Sequence, residues 1–171
     1  GFYASPDAID QYEETQSSFF GLSTKFEKEK LIIKPKLYWR RNQDEYIYIR
    51  DNPEIYRNLH ISNKIYFDLN FIKYYDSGSF SNFGIDNSQS YISSNNLGSH
   101  ERFTSTIYLD HTFKMMNDKL IISPGFSVSY FSDLSFHFFP GLDLGYHISE
   151  KSKLYANFGK TYRIPTYTDL Y

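Results

Sequence analysis

Strict alternation of apolar and polar residues is the feature that most constrains the fold of this chain. It is clearest in residues 31–41, where apolar side chains keep to one parity and polar ones to the other. The two sets are Leu31, Ile33, Leu37 and Trp39 against Lys34, Lys36, Tyr38 and Arg40. Successive side chains of a β-strand point to opposite faces, so the pattern predicts a strand with one apolar and one polar face.

Runs of this kind follow one another along the whole chain. They cover residues 15–27, 31–41, 61–73, 80–87, 103–115, 120–130, 136–147 and 153–162. Most reach the roughly 9–11 residues that a tilted strand needs to cross a membrane. Polar turns separate consecutive runs, so the sequence predicts an all-β fold, an antiparallel up-and-down meander of about eight strands.

The connections between these strands differ in length. Short polar turns are expected near residues 28, 77, 117 and 150, and another at 132–135. Residues 42–60 and 88–102 are predicted to form long, Tyr-rich loops. Short turns on one rim and long loops on the other are typical of outer-membrane barrels, whereas a soluble sandwich distributes its loops between both ends. The pattern favours a transmembrane barrel.

Aromatic residues make up 20% of the chain, a content that suits pleated, half-buried surfaces better than helices. Those near predicted strand ends would form the girdles that meet lipid headgroups: Trp39, Tyr46, Tyr48, Tyr74, Tyr75, Tyr130, Phe131 and Tyr162. Proline cannot donate a hydrogen bond to a ladder. We therefore predict local breaks in strand pairing at Pro35, Pro124 and Pro140.

Several classes of function are disfavoured by the sequence. The net charge of −2 offers no basic surface for nucleic acid, and the chain has no cysteine. No motif of a hydrolase, a metalloprotease or a nucleotide-binding enzyme is present. His137 and His147 share a strand parity but would lie roughly 30 Å apart. We therefore expect no enzymatic activity, no cofactor and no metal site.

Residues 154–171 carry the most specific signal. They resemble the conserved block of TonB-dependent receptors, in which a barrel strand ends in an aromatic-Arg-x-Pro segment followed by an acidic residue and Leu-Tyr. The matching residues are Tyr162, Arg163, Pro165, Asp169, Leu170 and Tyr171. Residues 120–125 and 139–146 resemble preceding strands of that family. Residues 2–4 and 12–15 resemble its cobalamin-receptor-like branch, especially as it occurs in Bacteroidetes.

The resemblance implies an outer-membrane receptor of a Gram-negative bacterium, built as a barrel of about 22 strands around a plug. Residues 1–171 would be a partial wall, without the plug, the TonB-binding segment or the terminal strands. The TonB complex would power uptake through the plug, while wall and loops capture a small nutrient such as cobalamin or an iron–siderophore complex. The wall would contact outer-membrane lipid, and its open sheet edges would favour self-association.

Ligand contacts are expected in the long loops and the adjoining lumen. The candidates are Tyr46, Tyr48, Arg50, Tyr56 and Arg57 in one group, and Tyr91, His100 and Arg102 in another. Tyr and Arg dominate recognition hot spots, although a solvated loop with packed tyrosines would have the same composition. Arg163 and Asp169 are better explained as a structural tie between loop and wall than as ligand contacts. Two other functions stay open: a passive porin-type channel wall and a soluble all-β binding or adhesion domain.

Overall fold

The computed structural model describes residues 10–170, and one antiparallel sheet contains every strand in this range. The strands are β1 (Tyr12–Ser23), β2 (Phe26–Lys28), β3 (Leu31–Ile47), β4 (Arg57–Tyr74), β5 (Phe80–Ser94), β6 (Gly98–Met115), β7 (Leu120–Phe131), β8 (Ser135–Ser149) and β9 (Ser152–Gly159). A single helical turn, α1 (Tyr167–Leu170), ends the described chain. No helix within these residues is long and apolar enough to span a membrane.

Strand order in the sheet follows the order along the chain. The short β2 pairs with β3 beyond the end of β1, so β1 and β2 are two parts of one interrupted strand. Of the nine strands, two therefore share one position, and the sheet is an up-and-down meander eight strands wide. This confirms the architecture predicted from the alternation.

The three prolines lie where a ladder is interrupted or ends, as their missing amide hydrogen requires. Pro35 lies opposite the gap between β1 and β2. Pro124 lies in a gap of the β6–β7 ladder, which resumes beyond it in the same register. Pro140 lies one residue beyond the last pair of the β8–β9 ladder. The predicted local breaks are confirmed.

The prediction of two long loops is wrong, because both connections are much shorter than expected. Of residues 42–60, only 48–56 lie outside strands. Residues 88–102 form a hairpin whose connection is only 95–97. In both segments polar side chains occupy the two faces of the strand, so the alternation disappears although the pairing continues.

The two faces of the sheet differ in chemistry. One face carries an apolar band that crosses strand after strand; one of its rows, from β3 to β7, is Ile33, Phe71, Phe83, Leu109 and Phe126. We call this the outer face and its opposite the inner face. Side chains on the inner face bond across strands at 2.5–2.9 Å: Lys36–Asp68, Tyr66–Asp86, Asn70–Asn82, Asn82–Asp110, Thr106–Ser129 and Thr112–Ser123.

Burial is inverted relative to a water-soluble domain. Within residues 10–170, the buried apolar residues are Ile32 and Phe131. The buried polar residues are more numerous: Asp68, Asn70, Ser79, Ser88, Ser94, Thr112 and Ser129. On the outer face Phe67, Ile107 and Phe138 stay 40%, 45% and 53% exposed. An apolar surface of this extent needs lipid or another protein layer to cover it.

One close cross-strand contact on the inner face depends on a glycine. Tyr108 lies opposite Gly84, and its hydroxyl accepts a hydrogen bond from the Asn70 amide at 2.8 Å. A Cβ added to Gly84 would lie 2.2 Å from the tyrosine hydroxyl. The absent side chain therefore leaves the space that the ring fills.

The three longest strands exceed the length of a membrane crossing by the widest margin. β3, β4 and β6 have 17, 18 and 18 residues, against the roughly 9–11 that a tilted strand needs. On β3 the side chains of the outer face change from apolar to polar between Trp39 and Arg41. The cross-strand row that contains Arg41 continues through Asn63, Tyr91 and Glu101. The wall thus extends beyond the apolar band at the end where Trp39 gives way to Arg41.

Candidate functional site

The connections divide between the two ends of the sheet. At the turn end lie 29–30, 75–79, 116–119 and 150–151, which confirms the short turns of the prediction. At the other, loop end lie 48–56, 95–97, 132–134 and the segment 160–170. The polar extension of β3, β4 and β6 is at the loop end, so candidate ligand contacts belong there.

A cavity of about 450 Å³ opens at the loop end and is called the rim pocket below. Its lining residues are Glu13, Asp44, Glu45, Tyr46, Tyr56, Asn58 and His60. Glu13 pairs with Tyr46, Tyr46 with Asn58, and Asp44 with His60, so strand register assembles most of the lining. The volume lies within the range of small-molecule sites.

Two tyrosines form the aromatic part of the rim pocket. The rings of Tyr46 and Tyr56 meet edge to face, with centroids 6.1 Å apart and planes at 68°. Desolvation, reinforced by the neighbouring phenols of Tyr48 and Tyr56, raises the pKa of Tyr46 above its usual value.

Carboxylates form the polar part of the rim pocket. The Arg57 guanidinium donates to Glu45 at 2.6 Å and neutralises that charge. Glu13 and Asp44 form no ion pair within residues 10–170. The Nδ1 atom of His60 is buried and has no hydrogen-bond partner among the same residues. Among the described residues, the pocket thus presents two carboxylates without an ion pair and one unbonded imidazole nitrogen beside an aromatic wall.

The first group of predicted ligand residues is only partly brought together. Tyr46 and Tyr56 line the rim pocket, and Arg57 borders it through its ion pair. Arg50 lies elsewhere, with its guanidinium carbon 5.2 Å from the ring centroid of Tyr12. Tyr48 is exposed.

The second predicted group is divided between the two faces. Tyr91 pairs with Glu101 on the outer face, where both line another cavity of about 450 Å³. Arg102, one residue further, points to the inner face together with His100. At the sheet's end His100 nevertheless borders the same cavity as Tyr91, whereas Arg102 does not line it.

Arg102 is the centre of a contact cluster at the loop end of the inner face. Its Nε donates to both carboxylate oxygens of Asp133, at 2.9 and 2.8 Å, and its Nη1 donates to the Pro165 carbonyl at 2.9 Å. The guanidinium carbon lies 5.3 Å from the ring centroid of Tyr167, which also stacks on His100 at 5.8 Å. Arg102 thereby joins β6, the β7–β8 turn and the C-terminal segment.

The C-terminal motif forms a local ion pair within the segment 160–170, and this pair does not itself reach the wall. The Arg163 guanidinium donates to both carboxylate oxygens of Asp169, at 2.8 and 2.9 Å. Tyr162 packs edge to face against His137 on β8 at 5.5 Å. Leu170 is exposed, and Tyr171 lies outside the described residues.

Acidification is expected to release this ion pair only below about pH 4. The backbone amide of Thr166 and then its hydroxyl lower the pKa of Asp169, with Arg163 adding to the effect. A carboxylate with a depressed folded pKa adds stability above its unfolded pKa, and this contribution is lost as the pH falls through the folded pKa. The measurement is the hydrogen-exchange protection of the Thr166 amide, at pH 6 and pH 3. Asp169→Ala should abolish that protection at both values, and protection in the native chain that survives titration well below pH 3 with the sheet still folded would contradict the role of the carboxylate.

The structure adds residues that sequence patterns did not single out. Asp133 lies in a turn of three residues, and only the pairing of β6 with β7 shows that it meets Arg102. His60 enters the rim pocket through its pairing with Asp44. No group of three or more potential metal ligands forms a cluster in the described part of the chain.

An antiparallel meander with an apolar outer face and a hydrogen-bonded polar inner face defines the class of membrane β-barrel walls. A family model for the β-barrel of TonB dependent receptor-like proteins matches residues 3–171. The chain therefore belongs to the TonB-dependent receptor β-barrel family, a family of receptors and transporters.

Solved structures show the same fold. The siderophore receptor PirA from Pseudomonas aeruginosa matches with a TM-score of 0.80 and 7% identity, over 92% of this chain and 28% of that one. A mutant of the ferric enterobactin receptor PfeA from the same organism gives 0.74 and 11%, over 90% and 26%. The unliganded ferric citrate transporter FecA gives 0.58 and 13%, over 86% and 27%.

The chain spans about a quarter of the length of these three proteins. At such identities the likeness concerns the fold alone. No curated protein matches the sequence.

Proposed function

We propose that this chain is part of the wall of an outer-membrane receptor for TonB-dependent active uptake of a scarce nutrient in a Gram-negative bacterium. The observation that carries the proposal is the inverted burial, with large apolar side chains exposed on the outer face and polar ones bonded to each other on the inner face. Lipid solvates the first face, and a polar lumen suits the second. A soluble all-β domain would bury its apolar face under a second layer.

In the complete receptor, residues 1–171 would supply a contiguous part of a barrel of about 22 strands. The free edges of β1 and β9 would there pair with neighbouring strands, whereas the isolated polypeptide would self-associate through them. The TonB complex would act on a plug domain encoded outside these residues. The wall needs no cofactor, because its task is binding and gating.

The nutrient would be cobalamin or an iron–siderophore complex. PirA, PfeA and FecA are a siderophore receptor, a ferric enterobactin receptor and a ferric citrate transporter, which supports an iron chelate as the nutrient. The resemblance of residues 2–4 and 12–15 to the cobalamin-receptor-like branch of Bacteroidetes supports cobalamin. The rim pocket would provide the first contact through Tyr46 and Tyr56. Tyr48 and Arg50 from the adjoining loop, and Arg57 from the start of β4, would add contacts.

Uptake by whole cells tests this function. A strain that lacks the complete receptor should lose accumulation of radiolabelled cyanocobalamin or of ferric siderophores, and the native gene should restore it. Removal of TonB should abolish the restored uptake. Uptake that persists without TonB would instead indicate a passive porin-type channel. If the strain that lacks the receptor still accumulates both nutrients normally, the proposed substrate class is overturned.

A further inference from the structure

We propose that Arg40 and Lys64 form a binding site for a planar, multiply charged anion on the inner face of the wall, below the rim pocket. The inference rests on the proposed function, because it assigns a ligand class to the same lumen. Arg40 on β3 and Lys64 on β4 are direct Cα partners. They lie four residues beyond Asp44 and His60, or roughly 13 Å along the strands.

The two positive charges lie directly opposite each other in the strand register, and neither forms an ion pair with a carboxylate of the described residues. Like charges directly opposite on neighbouring strands destabilise a sheet. Neither side chain has an ion pair within residues 10–170, and the nearby Asp68 is already bound by Lys36 at 2.8 Å. Such a pair is stable when an anion lies between its members.

The Arg40 side chain is oriented by a neighbour that carries no charge. Its Nε donates to the Asn42 carbonyl oxygen at 3.1 Å, and this oxygen also accepts a hydrogen bond from the Ser17 hydroxyl at 2.9 Å. The bond to Nε leaves the two terminal nitrogens to bind an anion. Arg40 and Lys64 are both exposed, so a ligand in the lumen can reach them.

An aromatic platform lies beside the two charges. The rings of Tyr38 and Tyr66 are stacked, 5.7 Å apart at 25°, one row further along the inner face than Arg40 and Lys64. Phe19, the partner of Arg40 on β1, lies 5.7 Å from Tyr38. Gly21 leaves room for this contact, since an added Cβ would lie 3.0 Å from both the Phe19 and Tyr38 rings.

The combination specifies the class of ligand. Guanidinium and ammonium groups bind carboxylate, phenolate or phosphate oxygens, and the three rings offer apolar faces to a planar group. A planar polyanion satisfies both parts, whereas an uncharged ligand leaves the like-charge pair uncompensated. The anion could belong to the transported nutrient or to an acidic side chain elsewhere in the receptor; the exposure of both cations favours the nutrient.

Anion binding to the complete receptor in detergent at low salt provides the test. The probes are benzene-1,3,5-tricarboxylate, which is planar and aromatic, and inorganic pyrophosphate, which is not; calorimetry measures both affinities. The double substitution Arg40→Gln with Lys64→Gln should weaken both probes by about tenfold or more, because hydrogen bonds to charged groups are lost. Tyr38→Leu should weaken the tricarboxylate while leaving pyrophosphate unchanged.

Arg41→Gln is the matched control, since Arg41 is the next residue but points to the outer face. Its affinities for both probes should equal those of the native receptor. Absence of binding by the native receptor, or equal binding by the double variant, would overturn the site. A double variant that is less stable than the native receptor without any probe would assign the pair to an internal carboxylate, which also overturns it. Normal TonB-dependent uptake alongside such a failure would leave the proposed function intact.

Discussion

Replacement of Val128 by arginine is expected to lower the free energy of unfolding by about 2–4 kcal/mol in phospholipid vesicles. Val128 lies within the outer apolar band, between its strand partners Ile107 on β6 and Phe138 on β8. If lipid covers this band, the arginine must carry its charge into the hydrocarbon or distort the bilayer around it. Urea titration of the complete receptor, refolded into vesicles, measures the change.

Ser127 provides the control because it is the adjacent residue on the same strand and points to the inner face, between Tyr108 and Phe139. Ser127→Arg places the same side chain in the lumen, where water or polar groups solvate it. Its effect should stay within about 1 kcal/mol. Equal losses for the two variants would show that both faces meet the same environment, and the membrane-wall assignment would fail.

The sheet could be predicted from the sequence because apolar and polar residues alternate along each strand, which gives the sheet one apolar and one polar face. Wherever the outer face is apolar, as from Leu31 to Trp39, period-two patterning located the strand correctly. The breaks at the prolines were also predictable, because the missing donor is a property of the residue itself. Local chemistry was sufficient for both features.

The polar extension of the strands could not be predicted in the same way. Beyond Trp39 the outer face carries Arg41 and Gln43, so apolar and polar parity no longer differ. Backbone hydrogen bonds nevertheless continue to Ile47. A strand with water on both sides has the composition of a loop, and for this reason residues 42–60 and 88–102 were predicted as loops.

The candidate sites depend on register, which composition does not specify. A shift of one residue in the β5–β6 pairing would place Tyr91 opposite Arg102, with both side chains on the same face. Arg40 and Lys64 are 24 positions apart, and only the continuous β3–β4 ladder shows that they are opposite. The Arg163–Asp169 ion pair joins two residues of one short motif inside the segment 160–170, so it is a local contact and differs from the predicted tie between loop and wall.

Replacement of Arg102 by methionine is expected to free the segment that follows β9 and to lower the free energy of unfolding by about 2–4 kcal/mol. Breaking a buried ion pair costs about 3–5 kcal/mol. We expect the lower range of about 2–4 kcal/mol because the pair is only partly buried: 29% of the Asp133 side chain and 12% of the Arg102 side chain are exposed. The Pro165 carbonyl would lose its donor and Tyr167 its cation contact. Hydrogen exchange across residues 160–170, compared with urea stability, measures both effects.

Arg57→Met is the matched control, because it also removes an arginine from an ion pair at the loop end. The side chain of Arg57 is 48% exposed, so the loss of its contact with Glu45 should cost no more than about 1 kcal/mol. Exchange in residues 160–170 should stay unchanged in this variant. If Arg102→Met also leaves that exchange unchanged, Arg163 and Asp169 hold the segment by themselves. The cluster around Arg102 would then stabilise the β7–β8 turn without positioning the family motif.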